Sequence, residues 1–430
     1  MPTQGAHLPV LTYFQRRKPY SSGGDPSVSG SGYGHGVSPT PDASASRALL
    51  DASAAPLLPA ARDTLLAALD AGWADPRRLH AEGRQARALL DRAREVVAAG
   101  LGVRPPELSF LPSGPVALRA GCEGLLHAGR RRGARLVASA VEHSAVLTLG
   151  RHHAATTGDA DRFEEVPVDR LGRVDVEALD RALAAPGTVA VAVQSANAEI
   201  GTRQPLAGAW QLARARGVPL LVDAQASLGR DAPPTAYDVL AGDARSWGGP
   251  GGVGVLVVPA RTRWRRPGPV SELEGGRTDA EPVVALALAA AEAWQQTEAT
   301  RATEQARAAL LVDRIRAAVA GIPDTEVVGD PADRLPHVVT FSCLYVDGEA
   351  LVGELDRRGF AVASGSACTS STLEPSHVLA AMGVLTHGNV RVTLPLEAVA
   401  PRRAADVERF VAVLPDAVAA VRAELGAAGL

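Results

Sequence analysis

From position 46 onward the apolar residues recur with two periods. At 57–69 and 79–99 they fall at three- and four-residue spacings, which predicts amphipathic helices. Short apolar runs at 135–140, 163–167, 189–194, 219–223 and 254–258 predict strands, and the stretches between them at 143–153, 174–185 and 206–216 return to the helical period. Such alternation implies a mainly parallel sheet covered on both faces, with ligands expected beyond the carboxyl ends of the strands. After about position 259 the pattern changes. Two long Ala-rich helices are predicted at 283–296 and 302–320, then a strand at 338–343, a helix at 348–358, a strand at 389–394 and a last helix at 400–425. The predicted organisation is a large α/β domain over 57–262 and a smaller α/β domain built from 46–56 and 263–430, with no internal repeat. Residues 1–45 are rich in Gly, Ser and Pro and bury too little apolar surface to offset ordering, so a disordered tail is expected there.

Composition narrows the function classes. The chain has 430 residues, 46% of them hydrophobic, enough for a substantial core. A net charge of −3 points to neither nucleic acid nor an anionic membrane as a partner. No apolar run reaches the length of a membrane span, and the start lacks the basic-then-apolar pattern of a secretory signal. Cys122, Cys343 and Cys368 stand far apart, so neither a disulfide framework nor a cysteine-based metal site is expected, and a reducing, cytoplasmic location is. Arginine is abundant, whereas Lys18 is the only lysine.

One cysteine has a setting suited to chemistry. Cys368 lies in SGSACTSSTLEPS (364–376), between a short apolar run and the next helical pattern. Small neighbours let the backbone turn tightly and leave the sulfur uncrowded, as an attacking thiolate requires. A Ser-rich connector that happens to hold a cysteine is the competing reading. Asp223 closes an apolar strand, where a carboxylate needs a partner. Capping the following helix is one such role. Arg391 has the planar guanidinium suited to gripping a carboxylate, or it forms a structural ion pair.

Taken together, SGSACTSSTLEPSHVLAAMG (364–383), LDASAAP (50–56), WADPRRLH (73–80), EHSAVL (142–147), NAEIGTRQP (197–205), LVDAQASLG (221–229) and GNVRVTL (388–394) resemble, in order, the motifs of the NifS/IscS-like cysteine desulfurases. The resemblance runs from about Leu50 to the C-terminus and implies a class V aminotransferase fold. That is a pyridoxal phosphate (PLP)-dependent transferase-like large domain with a mainly parallel, seven-stranded sheet, plus a smaller α/β domain. It implies PLP as cofactor and a dimer, with itself or with a desulfurase relative. It also implies a sulfur donor or acceptor protein as partner. By the same resemblance Cys368 carries sulfur as a persulfide, His143 stacks on the cofactor and shuttles protons, Arg391 grips the substrate carboxylate, and Asp223, Asn197, Gln225, Ser113 and Gly114 bind cofactor.

The pattern breaks at ARSWGGPGGVG (244–254), which aligns with SxHKxxGPKGxG. Arg245 stands at the histidine and Ser246 at the lysine, and a hydroxyl cannot form the imine that holds PLP. In the phosphate turn FLPSGPV (110–116), Pro115 removes a backbone N–H. The family's glutamine position is Ala226, with Gln225 displaced by one, which on a strand turns a side chain to the other face. Arg245 adds positive charge near the same pocket. Covalent cofactor binding is therefore expected to be lost. Three functions follow: a sulfur relay through Cys368, a catalytically inactive homologue acting as a dimer or interaction partner, and an atypical desulfurase using non-covalently held PLP.

Overall fold

The computed structural model describes residues 47–54, 56–269, 271–364 and 375–427. Seven strands form the main sheet: β2 (Leu108–Leu111), β3 (Arg135–Ser139), β4 (Phe163–Val166), β5 (Thr188–Ala192), β6 (Leu220–Asp223), β7 (Val239–Asp243) and β8 (Gly254–Val257), in the spatial order β2-β8-β7-β6-β5-β3-β4. From β7 to β4 all pairings are parallel, while β8 runs antiparallel to both neighbours. Strands β2, β5, β6, β7 and β8 are apolar almost throughout because helices cover both faces. The helices are α1 (Pro59–Ala71), α2 (Ala81–Gly100), α3 (Gly114–Gly129), α4 (Ser144–Thr157), α5 (Val176–Ala184) and α6 (Leu206–Ala215).

A second, antiparallel sheet has the order β12-β10-β9, from β9 (Thr325–Val328), β10 (Val338–Cys343) and β12 (Asn389–Thr393). Beside it, β1 (Ala48–Leu49) pairs in parallel with β11 (Phe360–Ala361). Its core is closed by α8 (Gly348–Arg357) and α10 (Arg403–Glu424), with Phe360 packed edge-on against Phe410.

The two predicted helices at 283–296 and 302–320 are one helix, α7 (Val284–Ala320). Its first half is buried nearly all round among α1, α2 and the main sheet, and its second half lays Val312, Ile315 and Val319 on the other core. The period breaks where the burying partner changes, while the backbone continues. Strands β2, β7 and β9 and helix α3 were not predicted. In β7, Ala241 and Gly242 dilute the strand signal, and Gly242 is needed because Leu228 and Val255 press on it. The expected tail at 1–45 lies outside the described residues, as does Cys368.

Candidate functional site at the carboxyl edge of the sheet

Because β2 and β8 reverse twice, the ends of β2, β6 and β7 and the start of β8 meet at one edge, with Leu111 and Asp243 both opposite Gly254. The approach is close: a Cβ on Gly254 would lie 2.2 Å from the Ser113 carbonyl oxygen. Of the residues predicted for the site, Ser113, Gly114, Asp223, Gln225, Arg245 and Ser246 lie along this edge, Arg391 lies on β12 of the second sheet, and Cys368 lies outside the described residues.

Asp223 ends β6 and is 5% exposed. Its Oδ1 accepts the Gln225 backbone N–H at 2.8 Å, and the Gln225 side-chain amide reaches both carboxylate oxygens at 3.2 Å. The strand has ended by Gln225, so strand alternation no longer governs it and its side chain folds back onto Asp223 instead of turning away. Burial raises the Asp223 pKa, while His143 and the two Gln225 bonds pull it back and Asp243 raises it further. His143 precedes α4 and is half-buried, with its Nδ1 accepting the Ala145 N–H at 3.0 Å. In the neutral ring that leaves the proton on Nε2.

Asp243 ends β7, 4% exposed, and no sequence signal marked it because its strand was not recognised. Its Oδ2 accepts the Gly114 N–H at 2.8 Å, the first amide of α3. Oδ1 accepts the Arg245 N–H at 3.1 Å and Nε at 3.0 Å, and Arg245 Nη2 approaches Oδ2 at 3.3 Å. Ser113 caps α3, its Oγ accepting the Val116 N–H at 3.4 Å. Ser246 donates its hydroxyl to the Asp243 carbonyl at 2.8 Å, and its own carbonyl accepts from Arg230 Nε at 2.8 Å. Arg230 is buried, and desolvation lowers its pKa to about 10; it also reaches the Leu394 carbonyl at 3.3 Å, tying this loop to the end of β12.

The Asn197 side chain is spent on its own loop and on the loop after β3. Its amide nitrogen donates to the Val141 carbonyl at 3.1 Å, and its Oδ1 accepts the Glu199 and Ile200 N–H groups at 2.8 and 3.0 Å. Arg391, on β12, is 9% exposed, and among the described residues its Nε has no hydrogen-bond partner and its guanidinium no ion pair. Its backbone exchanges two bonds with Ala363, at 2.7 and 3.1 Å.

Two carboxyls that sequence reasoning passed over border the site. Glu142 is fully buried; its Oε1 accepts the Gln194 N–H at 2.6 Å, and burial, reinforced by Asp223, drives its pKa well up. Glu199 accepts the Ser376 hydroxyl at 2.8 Å, and burial raises its pKa to about 7 against the pull of Ser376 and Arg391. Ser376 caps α9 (His377–Met382), and His377 Nε2 meets the Glu142 carbonyl at 3.0 Å. Of the other cysteines, Cys122 is fully buried and its thiol is pushed far up by desolvation, and burial pushes Cys343 up to about 11. Among the described residues no group of three or more metal-ligating side chains occurs, and no helix is long and apolar enough to cross a membrane.

Comparison with known proteins agrees with this architecture. The class-V aminotransferase family matches residues 48–410. A cysteine desulfurase of Cereibacter sphaeroides is 34% identical over 387 residues, covering 85% of this chain and 94% of the relative. The cysteine desulfurase IscS of Dictyoglomus turgidum is 32% identical over 339 residues, covering 75% and 83%. A solved NifS-like protein superposes with a TM-score of 0.75 at 22% identity, covering 86% of this chain and all of the other. The fold is that of the class-V aminotransferases, a PLP-dependent group, and within it the chain belongs to the cysteine desulfurase family.

Proposed function

We propose that this chain carries sulfur as a persulfide on Cys368 and passes it to an acceptor, without PLP held as a Schiff base. The carrying observation is how both ends of the Cys368 segment are anchored. Ala363 is bonded to Arg391 on one side; on the other, Ser376 is bonded to Glu199 and His377 to Glu142, next to His143. The buried, high-pKa thiols of Cys122 and Cys343 leave Cys368 as the nucleophile. Its thiolate attacks the outer sulfur of a donor persulfide, the donor S–S bond breaks, and its electron pair leaves with the donor thiolate. The new Cys368 persulfide is then attacked in the same way by an acceptor thiolate, regenerating Cys368. Arg391, whose guanidinium forms no ion pair among the described residues, supplies the cation for a carboxylate on the donor.

The residues present do not fit PLP as the family uses it. Ser246 has no amine, and the chain's single lysine is Lys18. The Asp223 carboxylate, which would face a pyridinium, is already covered by the Gln225 amide. No step is therefore routed through PLP. We place the protein in the cytoplasm as a dimer, with itself or with a desulfurase relative. Trp73 and Leu79, 70% and 86% exposed between α1 and α2, offer apolar surface for a second subunit to cover. Light scattering is expected to give the dimer mass, and a monomer that captures no relative would remove this part of the reading. The sulfur reading is tested by incubating the protein with a persulfide donor and mapping the extra sulfur by mass spectrometry. Labelling is expected on Cys368 and lost in Cys368→Ala; equal labelling of the variant refutes the reading.

A further inference from the structure

We infer that Asp243 is a built-in substitute for a bound phosphate, so that the cofactor pocket is closed by the chain's own carboxylate. The N-terminus of α3 faces the carboxyl edge of the sheet, where a helix start offers N–H groups to an anion. Every such donor here is accounted for. The Gly114 N–H goes to Asp243 Oδ2 at 2.8 Å, Pro115 has none, the Val116 N–H goes to Ser113 Oγ at 3.4 Å, and the Ala117 N–H goes to the Ser113 carbonyl at 3.0 Å. The same Asp243 carboxylate is clamped from the other side by Arg245 through its Nε, its Nη2 and its backbone N–H. One carboxylate thus takes the helix amide and the nearby guanidinium that an incoming phosphate would need.

Sterics agree with charge. A Cβ on Gly114 would lie 2.0 Å from Gln225 Oε1 and 2.8 Å from the Asp243 Cβ, so both side chains are packed onto the start of α3. Gln225 meanwhile spends its amide on Asp223. A phosphate entering here would meet a buried carboxylate at hydrogen-bonding range and no free amide, a repulsive arrangement in a low-dielectric setting. The site is complete without a cofactor. This goes beyond the loss of the lysine, because it excludes non-covalently held PLP as well.

The full chain is titrated calorimetrically with inorganic phosphate and with PLP, and phosphate is then tested as a competitor of PLP. The parent is expected to give no saturable binding in which the two compete. Asp243→Ser, which removes the carboxylate, is expected to bind both competitively and at least roughly tenfold more tightly than the parent. Asp243→Asn removes the charge but keeps the shape and an oxygen on the Gly114 amide, so it serves if the serine variant does not fold, and a gain over the parent smaller than that of the serine variant is expected. Competitive saturable binding by the parent, or a folded variant that binds no better than the parent, overturns the inference. Neither ligand nor readout involves a thiol, so the outcome is independent of whether Cys368 carries sulfur.

Discussion

By its motif Ser246 aligns with the cofactor lysine of the desulfurases, and its surroundings are satisfied as they stand. Its hydroxyl is bonded to the Asp243 carbonyl and its own carbonyl to buried Arg230. On the inference that Asp243 closes the phosphate site by holding the start of α3, an amine introduced there still lacks a place for the phosphate. Ser246→Lys alone is therefore expected to show no visible cofactor band when PLP is added, whereas Ser246→Lys with Asp243→Ser is expected to show one; absorbance spectroscopy decides. Glu199 gives a pH prediction. Its folded pKa of about 7 lies above the ordinary 4.5, so the folded state holds its proton more tightly. Its contribution is fully present below about pH 4.5 and is lost as pH rises through about 7, at most about 3 kcal/mol. Buried Glu142 and Asp223, also raised, act in the same direction. Urea unfolding at pH 5 and pH 8 is expected to show the parent losing stability, and Glu199→Gln losing less.

At the scale of elements, α7 links the two cores. Its midpoint is fixed by Thr297, whose hydroxyl donates to the Trp247 carbonyl at 2.9 Å, and by Glu304, whose carboxylate pairs with buried Arg403 of α10. The break in apolar period near 297–301 falls inside a continuous helix. Ala299 is exposed, so Ala299→Pro tests continuity without touching the core. One helix predicts a loss of roughly 3 kcal/mol or more by denaturant unfolding, and two helices with a joint there predict almost none. Arg403→Met leaves Glu304 buried without its partner and is expected to cost roughly 3–5 kcal/mol in the same assay.

For the whole molecule, the parallel part of the sheet was legible because β5 and β6, buried on both faces, write themselves as unbroken apolar runs. The joint in the sheet was not. β2 is four residues long with Ser109 in its middle, and β7 carries Gly242, so the edge they build with β8 had no sequence signature. That gap hid Asp243, since a carboxylate acquires meaning only from what lies beside it, and Gly114 is 129 positions away. Gln225 was noticed but given the wrong rule, because a strand's alternation stops where the strand stops. Motif order singled out His143, Asp223, Arg391 and Ser246 in the sequence, and the structure sets His143 close enough to Asp223 to act on its carboxyl. The chain has the class-V aminotransferase fold of the cysteine desulfurases, and the proposals that Asp243 closes the phosphate site and that Cys368 carries sulfur stand or fall by experiment. The most direct test is to supply cofactor-free protein with a persulfide donor and, separately, with L-cysteine with and without added PLP. An added sulfur mapped to Cys368, with no sulfide released from L-cysteine under either condition, is the predicted result. Sulfide release from L-cysteine that appears when PLP is added would contradict it.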